Sequence, residues 1–199
     1  MQAPIRQYLH EASQVVEQRT RHDLPPGYRF SIYQLLESSA GTNVRSRLDI
    51  LTAQSVLGIW ELWEPEDRRG RTLLAVAEQV ERGQIDRERA MHHADATRQW
   101  LDFEVERPQG ELAIGAAYAL DAIIEAVWSC AGVDRFAGLQ LSDSMSDADL
   151  DPWTTDCAVF AAAAFAGPIW EPKSSDSSRL TFWHWWLREG IPGALIEAV

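Results

Sequence analysis

Lysine is nearly missing from this 199-residue chain: Lys173 stands alone beside 17 arginines, and these 18 cations face 30 acidic residues. The formal charge of −12 and pI near 4.8 would repel phosphate backbones and anionic lipid, which makes nucleic acid and membrane surfaces poor partners. Such acidity serves either solubility or attraction to a basic protein, and composition leaves both open. The arginine skew carries no functional inference. Cysteine is also scarce. Cys130 and Cys157 sit in apolar runs (AVWSCAG, TTDCAVF), where small buried thiols are expected and a structural disulfide is not.

Other absences narrow the function. The opening residues, MQAPIRQYLHEASQVV, lack a basic region leading into an apolar run and a small-residue cleavage site, so the expected location is cytoplasmic. The longest apolar run, Leu112 to Trp128, is broken by Asp121 and Glu125 and reads as a buried helix, not a membrane span. No GxxxxGK, GxSxG, HExxH or CxxC occurs, which removes the common nucleotide-hydrolase, serine-hydrolase, metalloprotease and zinc-ribbon signatures. No segment alternates apolar and polar residues convincingly, and no repeat of fixed period is visible.

What is present is helical periodicity. Hydrophobic residues make up 46% of the chain, enough for one core. Ile5, Tyr8, Leu9, Ala12, Val15 and Val16 predict a helix over 4–21, ended by DLPPG, and a short helix follows through Phe30, Tyr33, Leu35 and Leu36. Thr42 or Asn43 can cap a helix carrying Leu48, Leu51, Val56, Ile59 and Trp60, with Pro65 ending it. Leu73 to Val80 predict another, closing near Gly83. Asp86 is the expected N-cap of a longer, charged helix stopped by Pro108. Residues 111–131 are apolar nearly all round, so this helix belongs at the centre of a bundle. After an Asp- and Ser-rich stretch, Ala158–Ala166 and Arg179–Gly190 give the last helices. The fold class is therefore all-α, a single-domain bundle of about seven to eight helices.

Four features could carry chemistry. Glu88 and His92 share a helical face, with His93 and Asp95 beside them, but the Glu-x-x-His spacing of di-iron bundles is absent, and a solvated face is the plainer reading. Asp121 and Glu125, also four apart, could share a proton or hold a cation; structural pairing with arginines on neighbouring helices is the expected fate. The nine tryptophans include Trp183, Trp185 and Trp186 in one segment, which reads as core packing ahead of an exposed aromatic patch. Finally, no cation lies between Arg135 and Lys173, yet Asp143, Asp147, Asp149, Asp151, Asp156 and Glu171 all do. Asp147, Asp149 and Asp151 alternate as in a calcium loop, but the turn glycine and distal glutamate are missing. A surface for a basic protein and a plain solvated loop remain open.

These segments resemble a known family. LTAQSVLGIWELWEPED, DPWTTDCAVFAAAAFAGPIWE and RLTFWHWWLREGIP are similar to the all-α immunity proteins of bacterial polymorphic toxin systems, the family numbered five, over about residues 42–195. The C-terminal block is the most specific part, with Arg179, Phe182, Trp183, Trp185, Trp186, Leu187, Glu189, Ile191 and Pro192 in place and departures at Thr181 and Gly190. Residues 1–41 carry none of the resemblance and read as a helix pair added to a domain spanning 42–199 and packed on its core. The resemblance implies a cytoplasmic protein, without enzymatic activity or cofactor, that binds and blocks a cognate toxin domain. A basic toxin, such as a nuclease, would suit the charge of −12. The expected contact residues are Asp143, Asp147, Asp149, Asp151 and Asp156 together with Glu61, Glu64, Glu66 and Asp67; no metal site is expected. The alternative is a metal- or ligand-binding bundle using Glu88 and His92 or Asp121 and Glu125.

Overall fold

The structure, a computed structural model, describes residues 3–105, 111–150 and 155–196. Among them there are helices and no strand. In chain order the helices are α1 (Ala3–Gln18), α2 (Pro26–Ala40), α3 (Asn43–Trp63), α4 (Arg69–Glu81), α5 (Arg87–Val105), α6 (Glu111–Cys130), α7 (Cys157–Ala166), α8 (Asp176–Trp185) and α9 (Ile191–Ile196). Five π-helical residues, Trp186–Gly190, join α8 to α9 without a break, so the described residues form eight α-helical rods.

Helix α6 occupies the centre. Its stretch from Ala119 to Val127 is buried throughout, covered by α3, α4, α5 and α7. Small residues allow close approach: a Cβ on Gly115 would lie 3.1 Å from the Ala164 carbonyl oxygen of α7. Helices α1 and α2 lie on the outside and reach the core through Leu9, Ala12, Val16, Ile32, Tyr33 and Leu36, all buried. None of the described helices is long and apolar enough to cross a membrane.

The local signals act as expected in most places. Asp86 accepts from the Arg89 backbone N–H at 2.8 Å ahead of α5. Gly41 and Gly167 end α2 and α7 in the left-handed half of backbone space. Pro26 opens α2 instead of merely breaking α1, because a first-turn N–H has no helical partner to lose. Thr42 precedes α3 without its side chain bonding the helix. The expected stop of α5 at Pro108 lies outside the described residues.

The C-terminal end differs from its sequence reading. The helix does not stop at Gly190 but continues to Ile196, because the Ile191 N–H reaches back five residues to the Trp186 carbonyl. That wider turn accommodates Pro192, which has no N–H to give to the residue four before it. Phe182, Trp183, Trp186, Leu187 and Ile191 are all buried, so the aromatic block is core. Trp186 Nε1 donates to Thr52 Oγ1 at 3.1 Å, tying the π-helical segment to α3. Arg179 is buried as well: it donates to the carbonyls of Arg21 (3.2 Å) and Gly167 (2.7 Å), fastening α8 to the α1–α2 connection and the end of α7.

Candidate interaction surface

The acidic stretch between α6 and α7 folds partly inward. Asp147 and Asp156 are buried, held by the fully buried Arg29 of α2. Arg29 Nη2 lies 2.6 Å from Asp147 Oδ1, and Nε lies 2.9 Å from Asp156 Oδ2. Burial works against the charge on Arg29, but the two carboxylates more than offset it and hold the guanidinium firmly protonated. Asp156 has a second task as the N-cap of α7, accepting from the Val159 N–H at 3.0 Å. These two aspartates are therefore committed inside the molecule and cannot meet a partner; a buried carboxylate needs a cation and hydrogen bonds, and Arg29 supplies them.

The rest of the stretch is anchored around that clamp. Arg19 pairs with Asp23 at 2.7 Å and also donates to the Met145 carbonyl at 3.2 Å. Phe136 is buried against Phe30 with its ring edge-on at 5.9 Å. The chain passes so close to α2 that a Cβ on Gly27 would lie 2.7 Å from the Ser142 carbonyl carbon. Asp143 and Asp149 stay exposed. Asp149 accepts from the Ser146 N–H at 2.8 Å and closes a capping box, so its carboxylate is oriented as well as solvated. Asp151 lies outside the described residues. Of the alternating aspartates, Asp147 is spent on Arg29 and Asp149 on backbone, so neither of these two is held for a calcium ion.

The second acidic cluster lies where α3 turns into α4. Glu61 is bound by Arg71 through two oxygens, one at 3.0 Å, and the hydrogen bond from Arg71 lowers its pKa. Asp67 accepts from the Arg69 N–H at 2.7 Å and pairs with its guanidinium. Glu64 and Glu66 are exposed and pair with no cation among the described residues. Arg69 also lies over the Trp100 ring at 3.7 Å, locking the turn against α5.

The residues of the metal-site alternative do not converge. Glu88, His92 and His93 are exposed, and Asp95 accepts from Trp128 Nε1 at 2.9 Å. No group of three or more His, Cys, Asp or Glu among the described residues is placed to hold a metal ion. Asp121 pairs with Arg98, and Glu125 takes both of its hydrogen bonds from Arg135 at 2.8 Å. Burial pushes both carboxyls up to about 7 against the pull of those arginines. Structural pairing is thus their role in the fold. Both cysteines are free and buried, with Cys157 Sγ 3.4 Å from the Asp49 carbonyl.

One buried group was not anticipated. Asp49 on α3 accepts from Ser129 at 2.6 Å, while its other oxygen has no partner, and burial pushes its pKa up to about 7. Its sequence context, RSRLDILTA, shows only one acid between aliphatic residues, which a surface position would share.

No curated protein matches the chain. The family model described as immunity protein Imm5 matches residues 9–193, a span that begins inside α1 and includes the Arg29 clamp as well as the aromatic block. The chain belongs to the Imm5 family of immunity proteins.

Proposed function

We propose that this chain acts in the cytoplasm of a toxin-producing bacterium, where it binds a cognate toxin domain and neutralises it by direct contact, without catalysis. The observation that carries the reading is the family match over residues 9–193. The charge of −12 supports a basic toxin, such as a nuclease, whose substrate phosphates the inhibitor's carboxylates would replace. Asp143 and Asp149 in one stretch, and Glu64 and Glu66 in another, are exposed carboxylates suited to this task, with Glu61 and Asp67 placing the second pair through their arginines.

The test takes its toxin from the coding neighbourhood: a gene next to this one for a large protein with a toxin-like C-terminal domain is expected, and that domain is the partner to express. Cells expressing that domain should stop growing, and co-expression of this chain should restore growth. The association rate of the purified pair should fall steeply as salt rises, and Asp143→Asn with Asp149→Asn and Glu64→Gln with Glu66→Gln should each cut it several-fold at low salt. Undiminished toxicity beside abundant, folded protein would overturn the reading.

A further inference from the structure

Eight large hydrophobic residues stand at least 36% exposed among those described, and five of them gather at one end of the bundle. Leu62 and Trp63 end α3, Phe103 ends α5, Ile114 begins α6 and Phe165 ends α7. Their convergence follows from the packing beneath. Trp60 and Trp100 meet edge-on at 6.1 Å, so Trp63 and Phe103 stand one helical turn further out on the same two helices. A Cβ on Gly115 would lie 3.9 Å from Ile59 and 3.1 Å from the Ala164 carbonyl, which brings Ile114 and Phe165 beside the α3 stripe. Phe165 forms the ridge between two surface grooves, one reaching Ile114, the other lined by Ser55, Phe182 and Trp185. Leu62 is 70% exposed. Clustering of this kind on a soluble domain marks a contact surface, whereas scattered single residues would not.

We infer that this end of the bundle is the docking surface for the toxin domain, receiving an apolar ridge bordered by lysine or arginine. The inference rests on the proposed function and adds to it an apolar centre. Charge selects the occupant. Glu64 and Glu66 border the patch and form no ion pair among the described residues; Arg69 and Arg71 are committed to Asp67 and Glu61, and the exposed cations nearby are Arg68 in the same turn and Lys173 beside Glu171 at the Ile114–Phe165 groove, so acid outnumbers base along this rim. A second copy of the chain, related by a two-fold axis, would set this acidic rim against itself at a molecular charge of −12. A basic-rimmed partner relieves the same charge. The arrangement is that of an interface with an apolar core and a polar, charged rim.

The experiment measures binding of this chain to the toxin domain that the growth assay identifies as its partner. Leu62→Asp with Phe165→Asp should weaken Kd about 30-fold or more, mostly through faster dissociation, with some loss of thermal stability because the Phe165 ring packs on Phe182 at 5.9 Å; Leu62→Asp alone, at a side chain 70% exposed, should weaken binding with thermal unfolding unchanged. Glu64→Lys with Glu66→Lys should instead slow association about tenfold at low salt and converge on wild type at high salt. If wild type binds and the apolar variant binds equally well, the docking surface lies elsewhere and the inhibitor function stands. If wild type sediments as a dimer that Leu62→Asp dissociates with toxin affinity unchanged, the occupant is a second copy and the inference is wrong. If wild type neither binds nor protects, the function itself fails and the inference goes with it.

Discussion

Two acidic stretches of similar composition have opposite fates in this molecule. The 143–156 stretch has no basic residue of its own, so the carboxylates that folding buries must find a cation elsewhere, and Asp147 and Asp156 converge on Arg29, 118 and 127 residues away in the chain. The 61–67 turn is followed at once by Arg68, Arg69 and Arg71, pairs locally, and keeps Glu64 and Glu66 on the surface. A run of uncompensated acid is thus not evidence of a free acidic surface. It is a debt of charge that a distant arginine can settle inside the core.

The contrast breaks first at Arg29. Arg29→Met leaves two buried carboxylates without a cation and should cost about 3–5 kcal/mol in urea unfolding, whereas adding Asp147→Asn and Asp156→Asn should recover about half of that loss. A cost below about 1 kcal/mol would mean that the clamp contributes little.

Asp49 sharpens the comparison, because it is buried without the two-sided partner that Asp147 enjoys. Its carboxyl is raised to about 7 in the fold and would titrate near 4 when unfolded. The folded state therefore keeps a proton through that window that the unfolded chain releases, and stability falls as pH rises from 4 to 7. Asp49→Asn should match wild type near pH 4 and exceed it by up to about 4 kcal/mol above pH 7. Parallel stability curves for the two proteins across this range would refute the assignment.

Gly27→Ala tests how tightly the clamped stretch is seated. The new methyl would meet the Ser142 backbone, so a loss of about 2 kcal/mol is expected, together with faster proteolysis around residue 142. The smallest effect belongs to the other stretch. Glu64→Gln with Glu66→Gln should change unfolding free energy by less than about 0.5 kcal/mol, since nothing in the fold depends on those charges.

The fold was legible wherever one helix reports on itself. All-round apolarity placed α6 at the centre, Asp86 announced the start of α5, and the density of Trp183, Trp185 and Trp186 pointed to core. Asp121 and Glu125 were legible too, because a carboxylate inside an apolar helix must pair and arginines were plentiful. Asp147 and Asp156 were not. Their partner sits in PPGYRFS, where nothing sets Arg29 apart from sixteen other arginines, and only packing chooses among them. The exposed apolar end was hidden for a similar reason: Leu62, Phe103, Ile114 and Phe165 each continue an ordinary helical stripe, and only the meeting of four helix ends makes them one surface.

The Arg29 clamp also bears on synthesis. The ribosome delivers α2 long before Asp147 and Asp156, so for most of translation the arginine waits in water with its two anions still unmade. Burying it early would strand a charge, which favours late closure. The N-terminal helices are thereby kept from settling onto a half-built protein until nearly all of it has emerged.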